Sequence, residues 1–190
     1  QAEEKESRDL YEWVQALVCS VLTVVLIFTF VVRIVRVSGE SMRETLQDQD
    51  MLVVLNNWLC GTYEQGDIVI LQRDDFYGGE PIVKRVIATE GQTVDIDFDA
   101  GVVYVDGTAL EEPYTREPTW TQEGTEFPLT VPEGCIFVMG DNRNDSDDSR
   151  DSALGPVDTR CVLGRALLLA VPGPTADTDQ RDWSRVGILN

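Results

Sequence analysis

The chain has 190 residues with 34 acidic against 15 basic ones, a formal charge of −19, and no cluster of Lys and Arg able to hold phosphates, so no nucleic-acid partner is expected. Histidine is absent, which excludes Ser-His-Asp and Cys-His mechanisms and every zinc site that needs imidazole. Cys19, Cys60, Cys135 and Cys161 are too widely separated for a metal-ligand pattern, and neither a metal nor any other cofactor is expected.

Residues 1–12 form an N-terminal tail of net negative charge, with Glu3, Glu4, Glu6, Asp9 and Glu12 against Lys5 and Arg8. No charge then occurs from Trp13 to Val32, about the 20 apolar positions that a helix needs to cross a hydrocarbon core. A cleavable targeting signal would have a shorter apolar region and a positive leading segment, so residues 13–36 are read as a retained transmembrane anchor in a lipid bilayer. The flanking cations, Lys5 and Arg8 before the run and Arg33, Arg36 and Arg43 after it, do not settle its orientation.

Beyond Val37 the texture changes to short β-branched runs: Met51–Leu55, Asp67–Leu71, Ile82–Ala88, Thr93–Ile96, Val102–Val105, Cys135–Met139 and Val162–Ala170. Turn residues such as Gly66-Asp67, Asp106-Gly107 and Pro132–Gly134 punctuate them, which predicts a mostly β, antiparallel domain over residues 37–190. Residues 111–134, rich in Pro, Thr and Glu, read as an exposed excursion. Cys19 lies in the apolar run, so a full disulfide framework is impossible; free, mostly buried thiols are expected, with one bridge among the other three cysteines still open.

Four islands carry chemistry: Val37-Ser38-Gly39-Glu40-Ser41-Met42 followed by Thr45-Leu46, Gly66-Asp67-Ile68-Val69, Lys84-Arg85-Val86-Ile87, and Gly140-Asp141-Asn142-Arg143 running on through Ser146, Asp148, Ser149 and Arg150. In order and spacing, after an N-terminal anchor, they resemble the bacterial type I signal peptidases, from the membrane span through Gly164-Arg165-Ala166. The resemblance implies an N-terminal single transmembrane helix and an antiparallel β-sheet catalytic domain of the signal-peptidase type. It further implies a single-pass enzyme of the bacterial cell membrane, its catalytic domain on the outer face, that cleaves N-terminal signal peptides from exported preproteins.

The residues point the same way on chemical grounds. A serine hydroxyl needs a nearby base, and without histidine the candidates are Lys, Asp, Glu or an N-terminal amine. Lysine serves only when neutral, and bringing its pKa from about 10.4 to about 8 must disfavour the ammonium by roughly 3 kcal/mol. Lys84 sits in an apolar run where alternation puts Ile82, Lys84 and Val86 on one face and Val83, Arg85 and Ile87 on the other, so desolvation acts in the required direction. An edge-strand lysine that deters aggregation is the plainer alternative for Lys84, and a turn-capping serine for Ser41. Gly39, two places before Ser41, permits close backbone approach, and the Ser41 N–H is the expected oxyanion donor.

By resemblance, Ser41 is the nucleophile, Lys84 the base, and Ser146 donates a hydrogen bond that orients Lys84, while Arg85, Asp141, Arg143, Asp148 and Arg150 brace the site. The acidic loop at Asp141–Asp148 lacks the glycine and terminal acid of an EF-hand, and no metal site is predicted. The family's substrates bind as extended strands with small residues before the cut, an Ala-x-Ala pattern, which places Val35, Val37, Met42, Pro81, Ile82 and Val83 at the signal peptide. Two departures stand out: Glu44 where the family usually has proline, and Ala88-Thr89-Glu90-Gly91-Gln92 where it usually has G-x-P-G-D. A non-catalytic relative that assembles secreted or pilus subunits would be expected to have lost a dyad member, and a self-cleaving repressor would not need a membrane span.

Overall fold

The charge-free opening of the chain folds as one helix. In the computed structural model, which describes residues 2–175 and 178–189, α1 covers Ala2–Leu26 and a single π turn, Ile27–Val31, follows it. Residue 1 of the predicted tail, and residues 176, 177 and 190 of the predicted catalytic domain, lie outside the described residues. Tyr11–Val31 forms a continuous span whose side chains have no protein packed over them. Such a surface is stable in hydrocarbon and costly in water.

The predicted anchor runs too long at its C-terminal end. Val32–Arg36, assigned to it from sequence, form strand β1 instead. The reason is local: Arg33 ends the charge-free run, and the β-branched residues Val32, Ile34 and Val35 favour extended backbone. The strand finds a partner in β2 (Met51–Asn56), with Val32 opposite Leu55 and Arg36 opposite Met51. The exit from the span is locked as well. Trp58, in the short α2 (Asn57–Cys60), donates its indole N–H to the Phe30 carbonyl at 2.8 Å, and Asn56 Nδ2 donates to the same oxygen at 3.2 Å.

The other strands are β3 (Ile68–Leu71), β4 (Ile82–Thr89), β5 (Thr93–Asp97), β6 (Val102–Val105), β7 (Thr108–Ala109), β8 (Leu129–Thr130) and β9 (Cys135–Met139). After them come β10 (Val157–Asp158), β11 (Val162–Val171), β12 (Pro174–Thr175), β13 (Thr178–Arg181) and β14 (Gly187–Ile188). The main sheet has eight strands in the order β1-β2-β11-β3-β4-β9-β10, with β14 added beside β11. A second sheet, β7-β6-β5-β8, and the β12-β13 ribbon complete the antiparallel architecture, so the mostly β domain is as predicted.

Patterning explains the layers. In β5, Val94 and Ile96 are buried while Asp95 and Asp97 face water, the alternation of a sheet with one wet face. Strand β3 is buried at all four positions because it is central and covered on both sides. Val69 and Leu71 join a cluster with Val86 and Val138, whereas Ile68 and Ile70 join Met42, Leu46 and Val83. A third cluster, around Ile87, Phe137 and Met139, lies under the second sheet.

Residues 111–134 are less exposed than their composition predicts. Thr119 and Thr125 are buried, Leu129–Thr130 enter the second sheet, and Val131 joins its core. This segment is held by side-chain pairing to the loop after β9, which composition does not reveal. All four cysteines are free thiols; Cys60 is buried, Cys135 and Cys161 half-buried, and Cys19 is on the exposed span.

Asp50, fully buried, anchors the turn that leads into β2. It accepts from the backbone of Gln47 and Gly173 at 2.7 and 2.6 Å and from the Arg185 guanidinium at 3.0 and 2.7 Å. Removing it strands these donors in a dry site. Asp50→Ala should therefore destabilise the folded domain by about 3 kcal/mol or more, read as a lower urea midpoint at unchanged slope in detergent micelles.

Candidate active site

A cleft of about 320 Å³ opens where three segments meet, and it is lined by Val37 to Met42, by Ile82, Val83 and Lys84 of β4, and by Asp145, Ser146 and Asp147. Tyr77 closes one side, its hydroxyl donating to Asp147 Oδ2 at 2.8 Å. Of the residues predicted to meet substrate, Val37, Met42, Ile82 and Val83 line this cleft. Val35 packs beneath it against the Met42 cluster, and Pro81 is exposed outside it.

Ser41 begins a tight turn anchored by two buried side chains, Met42 and Leu46, with the Leu46 N–H bonded to the Met42 carbonyl at 2.8 Å. Gly39 has φ 94°, a region that a Cβ would strain, and its N–H donates to Asp48 Oδ1 at 3.1 Å. The Ser41 carbonyl accepts from the Asn142 N–H at 3.0 Å, while Asn142 Nδ2 donates to the Glu40 carbonyl at 3.2 Å. The Ser41 turn is thus stitched to the loop after β9 through its own carbonyl groups. Glu44, at the family's proline position, is exposed and outside the cleft.

Lys84 lies in the middle of β4, opposite Val69 of β3, and only 3% of its surface is exposed. Among the described residues it has no ion-pair partner. Burial lowers its pKa to about 8; Asp148, Asp147 and Glu123 oppose the shift, and Arg150 assists it. The partner strands on the two edges of β4 are unequal. Strand β3 pairs with Ile82 through Arg85, whereas β9 takes up the other edge only from Arg85 onward. The backbone of Ile82–Lys84 therefore presents a strand edge at the cleft without a ladder partner.

Arg85 follows Lys84 on the opposite face, as alternation predicts, and it is fully buried. Its guanidinium makes a two-point pair with Asp141, Nε to Oδ1 at 2.9 Å and Nη2 to Oδ2 at 2.8 Å, and stands 4.0 Å over the Tyr114 ring. Asp141 also accepts from Thr45 Oγ1 at 2.5 Å. One carboxylate thus joins the Ser41 turn, the Lys84 strand and the loop after β9.

Ser146 lines the opposite wall, with the fully buried Asp148 behind it. Ser146 Oγ donates to Asp148 Oδ2 at 3.0 Å, so its single proton is committed there and its lone pairs remain for an amine. Ser146 and Lys84 line the same cleft. Asp148 is held by Arg150 through Nε at 2.9 Å and Nη2 at 2.8 Å, and it accepts from the Gly140 N–H at 2.9 Å. Arg143 donates to the Gly140 carbonyl at 3.0 Å and pairs with Glu112.

Sequence reading missed Glu112, Tyr114 and Glu123, which residues 111–134 bring to the three arginines. Three carboxylates or phenols in a Pro- and Thr-rich stretch carry no local signal of a buried partner. The one available clue was arithmetic. Arg143 and Arg150 share a short loop with carboxylates and would need further acceptors if buried. Glycine 140 was read only as part of an island, yet it is a contact point: a Cβ there would stand 2.1 Å from Ser146 Oγ and 2.5 Å from the Ser41 carbonyl oxygen. Gly140→Ala should therefore push these two residues apart and lower kcat/KM by about 100-fold, with a smaller effect on the unfolding midpoint.

Comparison with known proteins identifies the family. The family model described as signal peptidase, peptidase S26, matches residues 10–171. Signal peptidase I of Bacillus licheniformis is 36% identical over 175 residues, 88% of this chain and 91% of that protein. Signal peptidase I S of Bacillus subtilis (strain 168) is 32% identical over 176 residues, 88% of this chain and 92% of its own. A crystal structure of a signal peptidase I from Enterococcus faecalis V583 has 35% identity and a TM-score of 0.44, covering 55% of this chain and 96% of that one. With a family match that spans most of its length and relatives at this level of identity, the chain belongs to the S26 signal peptidases, a family of serine proteases that remove signal peptides.

Proposed function

We propose that this signal peptidase works by a Ser/Lys dyad in which Ser41 is the nucleophile and Lys84 the general base. The observation that carries the reading is a buried lysine, its pKa near 8, lining the same cleft as a serine on a tight turn. Neutral Lys84 takes the Ser41 hydroxyl proton as Oγ attacks the scissile carbonyl, and the Ser41 N–H faces the oxyanion. The resulting ammonium returns that proton to the leaving amine, which leaves an acyl-enzyme. Water then gives a proton to Lys84 and its hydroxyl to the acyl carbon; the bond from that carbon to Ser41 Oγ breaks, and Lys84 passes the proton to Oγ, which restores the free hydroxyl and the neutral amine.

Substrate enters as a strand. The edge of Ile82–Lys84 supplies main-chain hydrogen bonds that tolerate many sequences, while Val37, Met42 and Val83 form shallow apolar walls suited to small side chains in an Ala-x-Ala pattern. The span Tyr11–Val31 holds the enzyme in the bilayer, and the domain faces the outer side, where translocated signal peptides emerge.

Purified full-length enzyme in detergent should cut a secretory precursor after the second alanine, identified by sequencing the new N-terminus. Ser41→Ala and Lys84→Ala should each lower kcat/KM by at least about 10³-fold without loss of folding. Retained cleavage in either variant would overturn the dyad. Because the base must be neutral, kcat/KM should rise about tenfold per pH unit up to roughly pH 8 and level off above it. Protease added outside intact cells or protoplasts should degrade the domain; full protection would reverse the orientation.

A further inference from the structure

The geometry points to Glu123 as a positioning residue that sets the basicity of Lys84 through Arg150, an inference that rests on the dyad reading. Glu123 arrives from the segment that clasps the loop after β9. Gly124 bridges Asp151, the Thr125 N–H donates to the Arg150 carbonyl at 2.9 Å, and Thr125 Oγ1 donates to the Ser149 carbonyl at 3.0 Å. These bonds fix the backbone beside Glu123 against the residues that bear the site. Its Oε1 stands 3.6 Å from Arg150 Nη2, a looser pair than the 2.8 Å contact of the same nitrogen with Asp148. Its Oε2 is buried without a hydrogen-bond partner.

A carboxylate held this way is poorly compensated. Arg150 is shared between two acids and gives its closer contacts to Asp148, and Arg150 Nη1 is committed to the Thr121 carbonyl at 3.1 Å. Burial raises the Glu123 pKa to about 7, Arg150 opposing the shift and Asp148, Asp147 and Asp151 adding to it. The Asp148 carboxylate that shares Arg150 also fixes Ser146, whose oxygen lines the cleft with Lys84. Ionised Glu123 therefore does two things: it draws on Arg150, and its charge favours the Lys84 ammonium. Protonated Glu123 does neither, and the two groups titrate as a coupled pair.

The test is the pH profile of kcat/KM for wild type, Glu123→Gln and Glu123→Asp, with Glu112→Gln as the comparison. Glu112 serves Arg143 rather than Arg150, so its loss should cost stability without moving the acid limb. Glu123→Gln removes the anion, and the limb should move to lower pH by roughly half a pH unit. On the acid side the two profiles should converge, because there wild-type Glu123 is itself protonated. Glu123→Asp, which restores a carboxylate, should return the limb toward its wild-type place. A limb that stays where it is in Glu123→Gln, with only a lower thermal midpoint, would make Glu123 a structural residue and overturn the inference. Absence of any limb near pH 8 in the wild type would instead remove the dyad reading beneath it.

Discussion

The two-point pair between Arg85 and Asp141 is the constraint around which the site is arranged. Both partners are fully buried, which is costly unless each polar atom is satisfied. Arg85 also donates to the Gly66 carbonyl, and Asp141 takes the Thr45 hydroxyl. The pair thereby fixes β4 relative to the loop after β9 and to the Ser41 turn. Strand alternation converts this into a placement for Lys84: with Arg85 pinned to one face, its neighbour must project to the other, where no carboxylate of the described residues forms an ion pair with it. An ion pair on one side of a strand thus secures an unpaired amine on the other.

The fold class was legible because the signal for a strand is local. Val94 and Ile96 between aspartates, or the uninterrupted Ile68–Leu71, announce one-sided and two-sided burial without reference to the rest of the chain. Failures occurred where partners decide. Val32–Arg36 continues the apolar texture of the anchor through Val32, Ile34 and Val35, and its β-branched residues become a strand because β2 is there to pair with them. The two-residue strands β7, β8, β10, β12 and β14 are too short to carry a period at all.

The candidate site was legible where residue type and chemistry coincide, as with Ser41 in its turn or Lys84 in an apolar run. It was illegible where two distant polar residues satisfy one another. Glu112 is 31 residues from Arg143, and nothing near either states the pairing.

The helix passes into β1 with no flexible segment between, and Trp58 ties the last turn to the domain. Only the residues from Val32 to Ser41 separate the end of the span from the cleft, a contour of at most about 35 Å. A peptidase on a loose tether would sample a wide volume and meet many bonds weakly. This one is mounted like a blade on a gauge. With the span in a bilayer, so short a link limits how far the cleft can stand from the lipid, and a scissile bond presented within that reach would meet a higher local concentration of enzyme than one held beyond it. Distance from the membrane would then act as a specificity element that no pocket residue has to encode.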